Sequence, residues 1–215
     1  MCGIIGILGK NEVAPQLVEA LRRLEYRGYD SAGITTLQAG KLHRRRAVGK
    51  LNELSDLLVH EPLIGKAGIG HTRWATHGLP SVSNAHPHTT GRVSIVHNGI
   101  IENFQELRDQ LAQQGYRAES DTDTEVVSMF VDCAIKSGKT PLEAVREAMA
   151  AVKGAYALCF LFEGEENFMI ASCLGSPLAV GYGDGEMFVG SDAIALAPLS
   201  NQITYLEDGD IAVLT

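Results

Sequence analysis

Ala155-Tyr156-Ala157-Leu158-Cys159-Phe160-Leu161-Phe162 is apolar along nearly its whole length. A strand with one wet face alternates apolar and polar residues. One without that alternation is covered on both sides. Two stacked sheets with helices on their outer faces meet the requirement. The order of elements agrees: strands come first, helices fill the middle, and a hairpin-rich run of strands closes the chain. Strict strand–helix alternation is missing, which argues against a doubly wound parallel sheet. The expectation is α+β, with antiparallel sheets covered by helices.

Working outward, strands are expected at Gly3–Leu8, Gly33–Leu37, Lys41–Val48, Ala67–Thr72, Val93–His97, Ala155–Phe162, Phe168–Ser172, Leu178–Tyr182, Met187–Gly190, Ile203–Leu206 and Ile211–Leu214. Helices are expected at Ala14–Tyr26, Leu51–Val59, Phe104–Gln114, Asp123–Ser137 and Pro141–Val152. The first places Leu17, Leu21 and Leu24 on one face. The last opens Thr140-Pro141-Leu142-Glu143, a capping box with proline at the first helical position. Asn103-x-x-Glu106 and Thr122-x-x-Glu125 carry related start signals, and Gly138 suits a helix end. With no Pro-rich or Ser-rich linker and no internal repeat, residues 1–215 are expected to form one domain.

The net charge of −8 argues against nucleic acid as a partner. His43-Arg44-Arg45-Arg46 is too short for a phosphate track and reads as a solvated strand or docking surface. No apolar run is long enough to span a membrane, and the N-terminus lacks the basic start and cleavage site of a signal peptide. Cys2, Cys133, Cys159 and Cys173 form no C-x-x-C pair and read as reduced thiols of a cytoplasmic protein, the last three in the core.

Cys2 stands out because it heads the first strand, directly after Met1. If Met1 is clipped, one residue carries a nucleophilic sulfur and a free α-amine. That amine, with a pKa of about 7.7–8.0, is partly neutral near pH 7 and can act as the base for its own thiol. On residue type alone Cys2 is equally a small apolar residue starting a core strand.

Attack on a carboxamide would need donors aimed at the developing oxyanion. Asn98-Gly99, just after Val93–His97, offers a side-chain N–H and an unobstructed backbone N–H. The same dipeptide is also the strongest hairpin-turn signal. Arg73, in His71-Thr72-Arg73-Trp74-Ala75-Thr76-His77-Gly78, suits a substrate carboxylate, and the stretch to Ser81 suits a lid. The structural alternative is a surface Arg beside a core Trp. Asp123 suits a substrate ammonium, or equally a first helical turn. His71, His77, His86, His88 and His97 crowd the middle of the chain, but neither H-E-x-x-H nor a cysteine pair accompanies them. No metal and no other cofactor is expected.

Cys2-Gly3-Ile4 resembles the start of the N-terminal-nucleophile glutamine amidotransferases. Leu24-Glu25-Tyr26-Arg27-Gly28-Tyr29-Asp30-Ser31-Ala32-Gly33, the His71–Gly78 run, Asn84-Ala85-His86-Pro87-His88 and His97-Asn98-Gly99-Ile100-Ile101-Glu102-Asn103 are narrower. Together they resemble the glutaminase domains of the glutamine–fructose-6-phosphate aminotransferase (glucosamine-6-phosphate synthase) family, from Met1 to Ile211. The resemblance implies a four-layer αββα sandwich. It implies Cys2 as nucleophile with its amine as base, and an oxyanion hole of Asn98 and Gly99. Arg73 would hold the glutamine carboxylate and Asp123 its amine. Thr76 and His77 would touch substrate, with His86 beside them. Trp74 would gate ammonia exit, and Arg27 would brace the terminus.

The implied reaction is hydrolysis of L-glutamine to glutamate and ammonia through a Cys2 thioester. The resemblance further implies a covalently linked sugar-phosphate isomerase domain after Thr215, using the ammonia to make glucosamine 6-phosphate, and a homodimer formed through that domain. Two other readings stand beside it: an N-terminal-nucleophile amidase acting on another amide, and a glutamine-sensing module without catalysis.

Overall fold

The computed structural model describes residues 2–215. In chain order its elements are β1 Gly3–Leu8, α1 Ala14–Arg22, β2 Ser31–Gln38, β3 Lys41–Val48, α2 Leu51–His60, β4 Ala67–Arg73, β5 His88–Thr90, β6 Val93–Ile101, α3 Phe104–Gln113, α4 Thr124–Lys136, α5 Pro141–Ala151, β7 Gly154–Phe162, β8 Met169–Leu174, β9 Ala179–Tyr182, β10 Met187–Gly190, α6 Ala193–Leu196, β11 Gln202–Tyr205 and β12 Ile211–Leu214. One sheet runs β11-β9-β10-β1-β4-β2-β3 and the other β12-β8-β7-β6-β5. Every strand pairing within them is antiparallel.

Period-two alternation sorts the apolar side chains into three layers. In β7, Ala157, Cys159 and Leu161 face the first sheet, while Leu158, Phe160 and Phe162 pack beneath α4 and α5. In β1, Ile4 and Leu8 face the second sheet, while Ile5 and Ile7 meet α1. Helices thus cover both outer faces of a two-sheet core, the expected αββα arrangement. Gly6 allows the sheets to close: a Cβ there would lie 2.8 Å from Met169 Sδ and 3.0 Å from Cys159 Sγ. No helix among the described residues is long and apolar enough to cross a membrane.

Several expectations need correction. The first helix stops at Arg22, and Glu25–Arg27 forms a 3₁₀ turn that ends at Gly28 in the left-handed region, φ +74°. The strand expected at Val93–His97 continues through Asn98-Gly99 to Ile101, paired with β7. Asn98-Gly99 is therefore not a turn. The Thr140 capping box forms; Asn103 does stand at the start of α3, but without a side-chain cap. Asn103 spends its amide on Ala151 O and Lys153 N, both at 2.9 Å. Thr122 precedes the capping position, which Asp123 occupies without a side-chain cap. Cys133 is half-buried, its Sγ on Gln114 Oε1, because its face of α4 looks outward. Strand β5 and helix α6, three and four residues long, are too short for periodicity to reveal.

Asp132 ties α4 to its surroundings. Its fully buried carboxylate accepts from Arg92 N at 2.9 Å, Tyr116 Oη at 2.7 Å and Lys136 Nζ at 2.7 Å. Asp132→Ala removes the acceptor of the Arg92 N–H and of the half-buried Tyr116 hydroxyl. It should cost about 2 kcal/mol, because hydrogen bonds to a charged, buried acceptor are lost together. Urea unfolding at pH 7 measures this; a loss below about 1 kcal/mol would contradict the clamp.

Candidate active site

Cys2 lies just before β1, in the middle of the first sheet, and β4 beside it ends at Arg73. From the second sheet, β6 brings Asn98 and Gly99 to the same end. The Cys2 thiol sits against the Trp74 backbone, with Trp74 N donating to Sγ at 3.2 Å and Sγ lying 3.6 Å from Trp74 O. Burial pushes the thiol above its ordinary pKa, opposed by the Trp74 N–H and the Arg73 charge. The thiol is therefore held in its protonated form, and acting as a nucleophile would require a base. The state of Met1, which decides whether the Cys2 α-amine is free, lies outside the described residues.

The Cys2 carbonyl accepts from Asn98 Nδ2 at 3.1 Å and from Arg27 Nη1 at 3.4 Å. Arg27 is itself held by Asp192, which also accepts from Tyr26 Oη at 2.7 Å. Gly99 has φ +132°, and a Cβ there would lie 2.0 Å from Ala155 O, so only glycine fits.

Arg73 and Trp74 reverse the structural alternative offered for them. Arg73 is 3% exposed and Trp74 53% exposed. The Trp74 ring rests on Gly28, where a Cβ would meet it at 2.8 Å. Arg73 Nη2 donates to His77 O and to Gly78 O, the latter at 3.1 Å. Its Nη1 is buried without a hydrogen-bond partner among the described residues, 3.8 Å from Asp30 Oδ1. Asp123 is 4% exposed, and its Oδ2 accepts from Ile101 N at 2.7 Å. His86 is buried, and His77 is half-buried against Phe104. Thr76 is exposed along the segment that leads from Trp74.

These residues meet in two adjoining spaces. Cys2, Arg73, His77, His86, Gly99 and Asp123 line an inner pocket of about 20 Å³, room for about one water. Cys2, Arg27, Trp74, Thr76, Asn98 and Gly99 border an outer cavity of about 480 Å³. The thiol stands between them. No group of residues suited to a metal ion occurs among the described residues.

Residue-type reasoning missed the groups that hold these walls. Asp30 accepts from Ala75 N, and its own N–H donates to Arg73 O at 2.7 Å, bracketing Trp74. Asn84 donates to Leu79 O at 2.9 Å and Asp121 Oδ2 at 3.2 Å, and accepts from Asp121 N at 3.0 Å. It clasps the segment after Trp74 to the loop before Asp123. Thr124 Oγ1 lies 2.9 Å from His86 Nε2 and 2.8 Å from His97 Nδ1. Asp30 and Asn84 sit inside quoted motifs, but nothing in their spacing names these partners.

Residues 71–198 match a family model described as a glutamine amidotransferase domain. Over all 215 residues the chain is 64% identical to glutamine–fructose-6-phosphate aminotransferase (isomerizing) from Brucella abortus biovar 1, and 60% identical to that of Bradyrhizobium diazoefficiens. It spans 35% of the length of each. Among solved structures, glutamine phosphoribosylpyrophosphate amidotransferase from B. subtilis, complexed with ADP and GMP, superposes with a TM-score of 0.83 at 28% identity. The match covers 99% of this chain and 47% of that one.

Burial drives the imidazoles of His71, His86, His88 and His97 below their ordinary pKa, His71 to about 3. In the unfolded chain they charge near pH 6.5, so on acidification the unfolded state takes up protons that the folded state refuses. Stability should fall from about pH 6.5 downward, by up to about 1.4 kcal/mol per pH unit for each histidine. Urea midpoints at pH 7.5, 6.5 and 5.5 test this. A midpoint that stays flat until carboxylates titrate would contradict it.

Proposed function

This chain belongs to the glutamine amidotransferase domain family, and we propose that it hydrolyses L-glutamine to glutamate and ammonia through a Cys2 glutamyl thioester. One observation carries the reading. A single pocket joins the Cys2 thiol, a buried guanidinium whose Nη1 makes no hydrogen bond among the described residues, and a buried carboxylate. That is a nucleophile between a site for a carboxylate and a site for an ammonium, the two charged groups of a free amino acid.

In the proposed mechanism the inner pocket first widens as the segment from Arg73 to Ser81 moves, since about 20 Å³ holds no amino acid. Arg73 takes the α-carboxylate and Asp123 the α-ammonium, with Thr76, His77 and His86 along the walls. The free α-amine of Cys2 takes the thiol proton, and sulfur attacks the side-chain carbonyl carbon. The oxyanion is met by Asn98 Nδ2 and the Gly99 N–H. Collapse breaks the C–N bond, and ammonia leaves with the proton the amine held, past Trp74. Water then cleaves the thioester, yielding glutamate and free thiol. Arg27, braced by Asp192, keeps the Cys2 carbonyl in place.

Residues 1–215 are assigned as one glutaminase domain. In a longer protein of the kind its relatives are named for, the ammonia would aminate fructose 6-phosphate on a linked sugar-phosphate isomerase domain, giving glucosamine 6-phosphate. A cytoplasmic setting suits four cysteines that are all free thiols.

Asn98→Ala should lower glutamine turnover by at least ~100-fold with little change in KM, since one oxyanion donor typically contributes ~3–4 kcal/mol of barrier lowering. Cys2→Ala should abolish glutamate release while glutamine still binds by calorimetry. N-acetylglutamine, which lacks the ammonium, should be a poor substrate. Near-normal turnover by Asn98→Ala, or equal use of N-acetylglutamine, would reject the assignment.

A further inference from the structure

His71 has no part in the mechanism above, although it is fully buried beside the atoms that mechanism uses. It lies on β4, opposite Ile4 of β1 and Gly33 of β2. Its side chain crosses from the first sheet to the second. Nε2 lies 2.9 Å from His97 O and 3.0 Å from Asn98 Oδ1.

The protonation state follows from the partners. A backbone carbonyl only accepts, so Nε2 carries the proton and shares it between the two oxygens. The Asn98 atom facing it must then be oxygen. The other end of that amide, Nδ2, meets an acceptor, the Cys2 carbonyl. A flipped Asn98 would set N–H₂ against N–H at His71 and oxygen against oxygen at Cys2. His71 Nδ1 is buried without a partner among the described residues, as suits the bare lone pair of a neutral ring, and the ring stacks on His86 at 4.2 Å.

We propose that His71 is a positioning residue, whose Nε2–H fixes the side-chain amide of Asn98 with its N–H₂ toward the Cys2 reaction centre. The inference rests on the oxyanion role of Asn98 proposed above. It goes further in giving the orientation of that donor a cause. Burial, with Arg73 and His97 nearby, holds the His71 pKa at about 3, so the ring stays neutral and the donor keeps its aim as the medium acidifies.

The test uses the full chain with Met1 removal verified by intact mass. His71→Met fills the space without a donor, and His71→Gln returns an N–H near the place of Nε2. His71→Met should lower kcat by roughly 10–100-fold with KM within about threefold of wild type, the pattern of lost transition-state stabilisation. His71→Gln should recover most of that loss. The double variant with Asn98→Ala should be no slower than Asn98→Ala alone. Alkylation of Cys2 by iodoacetamide, which needs no oxyanion donor, should keep its rate throughout.

A near-normal kcat for His71→Met while Asn98→Ala is slow overturns the role of His71. Additive losses in the double variant, or no recovery in His71→Gln, overturn it as well. Normal turnover by Asn98→Ala sinks the oxyanion reading itself, a separate outcome. Should His71→Met fail to fold, ¹⁵N spectra of the histidine-labelled wild type decide. Protonation at Nε2 alone from about pH 5 to 8 supports the proposal, and protonation at Nδ1 overturns it.

Discussion

The carboxamide of Asn98 joins the two sheets where the chemistry is proposed: Nδ2 donates to the Cys2 carbonyl at 3.1 Å, and Oδ1 lies 3.0 Å from His71 Nε2. Cys2 directly precedes β1 and Asn98 lies in the far part of β6; elsewhere the sheets meet mostly through apolar side chains, with Ser94 Oγ donating to Thr35 Oγ1 at 3.1 Å. The spacing of the sheets therefore sets the distance between nucleophile and donor. Small or slender residues at the interface, Gly6, Ala157 and Cys159 among them, keep that spacing short. Packing in the core and geometry at the site are one constraint, because interiors transmit a misfit rather than absorbing it.

The polar side of the site is built by the same economy. His86 and His97 share the Thr124 hydroxyl. One hydroxyl offers one proton and two lone pairs, so at least one of these imidazoles must donate to it. Neutral rings make this affordable, since buried charge would carry a large desolvation penalty. The region next to Cys2 and Asp123 is thus lined by dipoles whose orientations are fixed by one another, which is how a site orders charge without carrying much of it.

The layers could be read from the sequence because they follow from periodicity. Ala155–Phe162 announced a strand covered on both faces, and the ends of β1, β3, β10 and β12 fall where alternation and turns placed them. Cys2, Arg73 and Asp123 were visible as residue types suited to a reaction, and they do share one pocket. What stayed hidden has a common cause. His71 and Asn84 act through partners 27 and 37 residues away, and Asp192 through one 165 residues away. No local pattern encodes such pairs. Asn98-Gly99 shows the opposite: its local signal is compatible with a turn, but the strand runs on because pairing with β7 outweighs a two-residue preference.

Asn84 binds Leu79 on one side and Asp121 on the other with a single carboxamide. The two jaws of the pocket, one ending in the flap beyond Trp74 and the other carrying Asp123, are therefore hinged on a common pin. Displacing either side would strain the Asn84 hydrogen bonds that hold the other. In the proposed binding mode, a ligand that drew the segment after Trp74 inward would load the Asn84 bonds to the loop before Asp123, so contacts at the two ends of an amino acid would be coupled.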